Sequence, residues 1–347
     1  MNRPAFKVVI TDYDYPDLSV ERAILAPAGA EVVGAQCKSE DELIAVAGDA
    51  HALLVEYARV GARAIARLDR CLVIARYGIG VDIVDVAAAT EAGILVTNVP
   101  NYCVNEVADH AVAMFLCLAR RLREYDASVK DGRWHWNAAG APIHRLQGAV
   151  AGVVGLGKIG RAIVSRLKPF GLQVIAHDPY LPADAFQSLG CRQVEFAELL
   201  AASDVVFIQT PLTPETRFRF DAEAFAAMKT GALIVNTARG PIIKNADLLA
   251  ALQSGKLAGA ALDDLEEEPA KKRGWQPTNP LLKLPNVLVS PHSAYYSEES
   301  IREARETAAT EVASVLAGVM PRHVVNREVL ARPNLRRRLA ARTGEPA

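Results

Sequence analysis

Cysteine is scarce in this chain. Cys37, Cys71, Cys103, Cys117 and Cys191 are odd in number and scattered, and none stands in CxxC spacing. This excludes a disulfide framework or a zinc site and leaves reduced, buried thiols in a cytoplasmic protein. His110, His135, His144 and His292 lack the paired spacing of a ligand set, so no metal is expected. Long apolar runs are missing too. The longest, Ala111 to Ala119, is far too short to span a bilayer. Met1 to Pro4 lead directly into Lys7-Val8-Val9-Ile10 without the basic and apolar regions of a secretory leader. Charge of either sign is not in excess: the net value is −1, so no global field recruits nucleic acid or an anionic membrane. The cluster Arg336, Arg337, Arg338 and Arg342 reads as a solvated tail over 331–347. Repeats and low-complexity segments are absent.

What is present is apolar material, 51% of 347 residues, enough for two domains. Short β-branched runs alternate with helical patterns. The first series has strands Val8-Ile10, Glu31-Gly34, Ala52-Val55, Leu72-Ala75 and Ile94-Thr97, with helices such as Ser39-Ala47 and Val84-Ala92 between them. Apolar strands alternating with helices predict parallel sheets covered on both faces. A long helix is expected over Val104 to Arg123, capped by Asn101 or Asn105, with Val104, Ala108, Ala111, Val112, Phe115 and Leu122 on its buried face. An irregular stretch, Lys130 to Gln147, carries Trp134 and Trp136 and reads as a linker or as an arm packed on a partner subunit.

A second series follows with six strands: Ala149-Val154, Gln173-His177, Val205-Gln209, Ala232-Asn236, Ala258-Leu262 and Val287-Ser290. Six parallel strands with intervening helices match a doubly wound dinucleotide fold. A last helix, capped by Ser297 and ended by Gly318, is expected to return the chain to the first domain.

Between the first strand and helix of the second series stands Gly155-Leu156-Gly157-Lys158-Ile159-Gly160. Gly155 permits a tight turn, Gly157 lets a pyrophosphate approach the backbone, and Gly160 lets helix and strand pack closely. Helix amides and the helix dipole then hold the phosphates. Asp178 ends the next strand at about the 20-residue spacing expected of a ribose-binding acid. Its charge repels a 2′-phosphate, which favours NAD over NADP.

Three later strands each end in a chemically useful residue. Arg239 follows Ile234-Val235-Asn236, an acid run through Asp263 and Glu268 follows Leu262, and His292 follows Val289-Ser290-Pro291. Ligands of open α/β sheets bind at the carboxyl ends of the strands. Reducing a 2-oxo acid takes a hydride from a dihydronicotinamide and a proton for the developing alkoxide. His292 suits proton donation. Glu268 beside it raises its basicity and fixes the ring. Arg239 binds the substrate carboxylate and polarises the carbonyl. Asp263 is a candidate for holding the nicotinamide carboxamide.

With these residues in view, the chain resembles the D-isomer-specific 2-hydroxyacid dehydrogenases from about residue 7 to residue 330. The matching stretches are Arg76-Tyr77-Gly78-Ile79-Gly80-Val81-Asp82, Asn98-Val99-Pro100, the glycine fingerprint, Pro211-Leu212-Thr213-Pro214-Glu215-Thr216, Met228-Lys229, Asn236 to Gly240 and Pro291-His292. The resemblance implies two doubly wound parallel-sheet domains, flavodoxin-like and Rossmann. The substrate domain comprises 1–102 and 296–330. It encloses an NAD domain, 103–295, across a cleft. A homodimer forms through the NAD domains with an arm near 123–147. Arg239, Glu268 and His292 become the catalytic trio. Cofactor contacts are implied for Gly155, Gly157, Lys158, Ile159, Gly160, Asp178, Pro179, Thr210, Pro211, Thr216, Thr237, Ala238, Asp263 and His292. Substrate contacts are implied for Arg76, the amides around Ile79 and Gly80, Arg239 and Tyr295.

Within the family, Pro291 to Glu298 looks closest to the C-terminal-binding-protein-like branch, many members of which have tryptophan where Tyr295 stands. Phosphoglycerate dehydrogenases usually carry Arg-Ser near Glu56-Tyr57, and a negative charge there suits a phosphorylated substrate badly. No regulatory domain is expected after residue 330. Formate dehydrogenases carry glutamine at the place of Glu268, which disfavours that activity. Lys271 to Trp275 read as a solvated loop. The leading expectation is an NAD-dependent reductase of a small 2-oxo acid, with hydride passing between nicotinamide C4 and the carbonyl carbon. The alternative is an NADH-sensing, corepressor-like dimer with little turnover.

Overall fold

The structure, a computed structural model, describes residues 6–138, 140, 142–268 and 275–335. The arginine-rich tail, Lys271 to Gly274 and Met1 to Pro4 lie outside the described residues. The chain divides into two compact units, one of Met1–Tyr102 with Ser297–Ala347 and one of Cys103–Tyr296.

Unit 1 runs β1 (Phe6–Ile10), α1 (Ser19–Leu25), β2 (Ala30–Gly34), α2 (Glu40–Ala47), β3 (Ala52–Val55), α3 (Ala62–Ile65), β4 (Val73–Arg76), α4 (Val86–Glu91) and β5 (Leu95–Thr97). All strands are parallel, in the order β2-β1-β3-β4-β5. β3 and β4 are buried at every position, because helices cover both faces. Ser39 caps α2 by accepting the Glu42 amide, and Asp85 caps α4 by accepting that of Ala88.

Unit 2 runs α5 (Val104–Ala119), α6 (Leu122–Lys130), β6 (Val150–Val154), α7 (Lys158–Leu167), β7 (Gln173–His177), α8 (Ala183–Ser188), β8 (Arg192–Gln193), α9 (Phe196–Ala202), β9 (Val205–Ile208), α10 (Ala222–Ala227), β10 (Ala232–Asn236), α11 (Asn245–Gln253), β11 (Leu257–Leu262) and β12 (Val287–Val289). The sheet is parallel, ordered β12-β11-β10-β9-β6-β7-β8. It has seven strands rather than the six expected. The extra strand, β8, is two exposed residues at the sheet edge, too short and polar to show a strand pattern. Side chains alternate between the two faces: Val206 and Ile208 join one core cluster, Val205 and Phe207 the other.

The expected helix over Val104–Arg123 is two helices. The chain breaks at Arg121, whose φ is +51°. No glycine or proline marks the break, so the sequence pattern runs through it. Leu122 falls on the new helix and is exposed instead of buried. Neither Asn101 nor Asn105 occupies the cap position, which is Cys103.

The final helix, α12 (Glu298–Leu316), belongs to unit 1. Ser297 and Ser300 form a reciprocal capping box, with Glu298 and Glu299 in the first turn. Its buried stripe of Ala304, Ala308, Val312 and Val315 packs on α1 and the sheet. Arg305 clamps it there. The guanidinium bonds both oxygens of the fully buried Glu21 at 2.8 and 2.7 Å and lies over the Tyr15 ring. Tyr77 donates its hydroxyl to the same carboxylate. Among the described residues, no helix is long and apolar enough to cross a membrane.

Candidate active site

In unit 2 the chain reverses its winding between β6 and β9, and the loops after these two strands meet. A Cβ on Gly155 would lie 2.6 Å from the Gln209 carbonyl oxygen, and the residue adopts φ +91°, so both space and conformation require glycine. A Cβ on Gly160 would lie 2.1 Å from the Gly155 oxygen, which makes this glycine the hinge of strand–helix packing. Gly157 differs: a Cβ there meets no described atom within 4 Å. Protein packing gives no reason for glycine at 157, whereas close approach of a ligand to the backbone does. Gly157 stands at the N-cap of α7, with Lys158 and Ile159 in its first turn, where the helix dipole favours a phosphate.

Asp178 lies just beyond β7, half-buried. Its carboxylate accepts the Leu156 amide at 2.8 Å and the Tyr180 amide at 3.0 Å. Pro179 beside it is exposed. Beyond β9, Thr210 is half-buried, and Thr216 folds its loop back by donating to the Pro211 carbonyl at 2.6 Å. Thr237, after β10, accepts from Gln209 at 2.6 Å. The cofactor-site candidates from four strand ends therefore line the same edge of this sheet.

The next three strand ends carry the reactive candidates on neighbouring strands, β10, β11 and β12. Hydrogen bonds extend the ladder into each loop: Asp263 N–H to the Asn236 carbonyl at 2.9 Å, and Ser290 N–H to that of Leu262 at 3.0 Å. Arg239 sits after β10, where Asn236 brackets the turn by accepting the Ala238 amide and donating to the Arg239 carbonyl. The Arg239 guanidinium also donates to the Ala238 carbonyl at 2.8 Å.

Glu268 ends the acid run and is half-buried. The acids before it anchor the loop: Glu266 accepts the Asn245 amide at 2.7 Å, and Glu267 accepts the Asn279 side chain at 3.0 Å. Glu268 and His292 both adopt left-handed backbone, with φ of +49° and +54°. For residues with a Cβ this costs about 1–2 kcal/mol each, and such positions concentrate at functional sites.

The His292 amide donates to the Asp263 carbonyl at 2.6 Å. The Asp263 side chain, expected near the nicotinamide carboxamide, is engaged within the protein. It accepts the Ser290 hydroxyl at 2.6 Å and the amides of Ser293 at 2.9 Å and Ala294 at 3.0 Å. Burial raises this carboxyl above the usual aspartate range, opposed by those hydrogen bonds. Tyr295 meets the His292 ring at 6.2 Å, tilted by 69°.

Residues 112–294 match the NAD binding domain of the D-isomer specific 2-hydroxyacid dehydrogenases. A glyoxylate reductase of Korarchaeum cryptofilum is 34% identical over 88% of both chains. The chain belongs to this family. A D-3-phosphoglycerate dehydrogenase of Methanocaldococcus jannaschii is 38% identical over 92% of the chain but 59% of its own length. The chain thus spans little more than half of that relative, as it does of the Archaeoglobus fulgidus enzyme of the same name, at 55%. Among solved structures, a D-lactate dehydrogenase of Aquifex aeolicus complexed with NAD and lactic acid superposes with a TM-score of 0.83. It is 28% identical and covers 92% of this chain and 99% of its own. The cradle described above fits NAD: open space over Gly157, amides at the start of α7, and the acid Asp178 for the ribose.

Unit 1 carries the remaining candidate residues. Arg76 ends β4, buried, and donates to the Tyr77 carbonyl. The Ile79 carbonyl accepts the Asn98 side chain at 2.7 Å, and the Val99 amide donates to the Gly78 carbonyl at 3.0 Å, so the loop through Gly80 is held in place. Asp12 accepts the amides of Glu56, Tyr57 and Ala58 at 3.2, 2.5 and 3.0 Å. Burial, then Asp14 and Asp12, push the Glu56 carboxyl up to about 8. Burial thus works against the negative charge expected at Glu56 and favours its neutral form. Exposure is a tertiary property, and the sequence alone presents Glu56 as any strand-end carboxylate.

Sequence reasoning missed two groups. Asp264, buried, has Oδ2 3.5 Å from His292 Nδ1. His110 on α5 pairs its Nε2 with the Ser290 hydroxyl at 2.9 Å, within reach of Asp263. The only signal for Asp264 was a second acid directly after an apolar strand. His110 had none, because 180 residues separate it from Ser290.

Proposed function

We propose that this chain is an NAD-dependent D-2-hydroxyacid dehydrogenase that works reversibly as a reductase of small 2-oxo acids. The observation that carries the reading is His292: a half-buried imidazole on a left-handed turn, fixed by Asp263 at the end of β12, on the sheet edge that bears the nucleotide cradle. NADH, when bound, supplies the hydride to the substrate's carbonyl carbon. His292 gives the proton to the carbonyl oxygen in reduction and takes it back in oxidation. Glu268 orients the ring. Arg239 pairs with the substrate carboxylate and polarises the carbonyl. Tyr295, beside the His292 ring, shapes the pocket.

Glyoxylate, hydroxypyruvate or a hydrophobic 2-oxo acid fits this reading. The family includes glyoxylate reductase and D-lactate dehydrogenase relatives, and a neutral Glu56 offers no cation for a phosphate. The relatives named D-3-phosphoglycerate dehydrogenase make 3-phosphohydroxypyruvate the necessary control. The test is NADH oxidation with glyoxylate, pyruvate, hydroxypyruvate, 2-oxoisocaproate and 3-phosphohydroxypyruvate. Turnover with an unphosphorylated acid is expected. Turnover confined to the phosphorylated one overturns the substrate class. None across the panel, with NADH binding intact, overturns the enzyme in favour of an NADH-sensing module.

We further read the protein as a cytoplasmic homodimer. Trp134 and Trp136 are 86% and 78% exposed, and Leu122 and Val129 lie open nearby on α6. An apolar surface of this kind supports a subunit contact through the arm. Sedimentation equilibrium checks it, with a monomer mass as the opposing result. The five unbridged cysteines suit a reducing compartment.

A further inference from the structure

We propose that Asp264 is a second positioning residue for His292, a buried carboxylate on the Nδ1 side of the imidazole that supplements Glu268 in setting the ring plane. The proposal rests on the reading of His292 as the proton donor and adds a partner to it. Asp264 is 6% exposed and directly follows Asp263, whose backbone carbonyl accepts the His292 amide. Its Oδ1 accepts the Leu265 amide at 2.9 Å. Its Oδ2 accepts the Gly240 amide at 3.4 Å and stands 3.5 Å from His292 Nδ1.

One carboxylate therefore joins three loops: the turn next to Arg239, its own loop leading to Glu268, and the loop of His292. The loops are pressed together here, since a Cβ on Gly240 would lie 1.8 Å from the Leu265 oxygen. The two consecutive acids divide the work. Asp263 collects the hydroxyl and amides of residues 290–294 and sets the backbone. Asp264 faces the ring. Burying a carboxylate is costly unless donors surround it. Two backbone amides satisfy part of that need, and the imidazole edge stands beside the remaining oxygen surface.

A carboxylate on one ring nitrogen fixes both tautomer and plane, leaving the other nitrogen for proton transfer. No proton passes to Asp264. The proton delivered to the substrate leaves from Nε2, and Nδ1 keeps its own. At 3.5 Å the pair is an electrostatic contact rather than a hydrogen bond. Its loss therefore weighs less than the loss of a tightly bound orienting carboxylate.

The experiment compares Asp264→Asn, Asp264→Glu and His292→Ala in the full chain, using the best acid from the substrate panel. Asparagine keeps the shape and an oxygen for the backbone amides while turning an N–H toward the ring. We expect kcat of Asp264→Asn to fall roughly tenfold or more, with the KM for the 2-oxo acid and the Kd for NADH within about twofold of wild type. The solvent deuterium isotope effect on kcat should rise as proton delivery becomes limiting. Asp264→Glu, which restores the charge, should recover part of the kcat lost in Asp264→Asn. Wild-type kcat in Asp264→Asn overturns the proposal. So does a loss shared by kcat, NADH affinity and melting temperature with an unchanged isotope effect, which assigns Asp264 to scaffolding. An inactive His292→Ala beside a fully active Asp264→Asn removes the positioning role alone. An active His292→Ala removes the proton-donor reading with it.

Discussion

The carboxylate of Asp178 accepts the amide N–H of Leu156 at 2.8 Å, inside the glycine turn itself. The acid proposed to read the ribose and the turn proposed to receive the phosphates are thus hydrogen-bonded to each other. Replacing Asp178 with alanine removes a charge and loosens the turn. The ratio of kcat/KM for NADH over NADPH should fall by about tenfold or more, the value of one charge-assisted hydrogen bond. An unchanged cofactor ratio would show that Asp178 braces the turn without reading the nucleotide.

His292→Ala deletes the proposed proton donor while leaving the cradle untouched. The expected loss in kcat is about 10²–10⁴-fold, with NADH affinity, measured by fluorescence titration, nearly unaltered. Near-wild-type turnover contradicts the assignment.

Glu56 makes folding stability depend on pH. Its carboxyl titrates near 8 in the folded chain against an ordinary value of 4.5. The raised value means that the folded state holds a proton the unfolded state has released. This contribution is whole below pH 4.5 and is lost as pH rises through about 8, at about 1.4 kcal/mol per pH unit in between. Glu56→Gln should flatten that loss. Urea denaturation at pH 5 and pH 7.5 compares the two proteins, and equal slopes would place the Glu56 carboxyl in the ordinary range.

Arg305→Met leaves the Glu21 carboxylate buried without its cation, with Tyr77 as the remaining partner described here. Removing one member of such a pair costs about 3–5 kcal/mol. Because Arg305 ties α12 to α1, the loss should appear in the unfolding of unit 1. The double variant Glu21→Leu, Arg305→Met should be more stable than Arg305→Met alone. If the single variant melts with the wild type, the pair contributes little.

Both α/β series, the parallel direction of their strands and the glycine turn after β6 were legible in the sequence, since each depends on short-range patterns. Apolar β-branched runs, a glycine at each tight contact and a serine before Glu298-Glu299 act within a few residues of themselves. The helix break at Arg121 was not legible, because no residue type signals it. Nor was β8, two exposed residues that become a strand only by pairing with β7.

The side chains proposed to be reactive divide along the same line. That Arg239, Glu268 and His292 stand at strand ends follows from the chain alone, because parallel strands leave the sheet at one edge. Which carboxylate meets which group does not. Asp264 lying 3.5 Å from the imidazole, Asp263 gathering the 290–294 loop, and burial raising the Glu56 carboxyl all depend on residues brought together across tens to hundreds of positions. Local pattern sets where a side chain leaves the backbone. Only packing sets its neighbours and the water excluded around it, and these decide whether an acid is a charge, a clamp or a neutral donor.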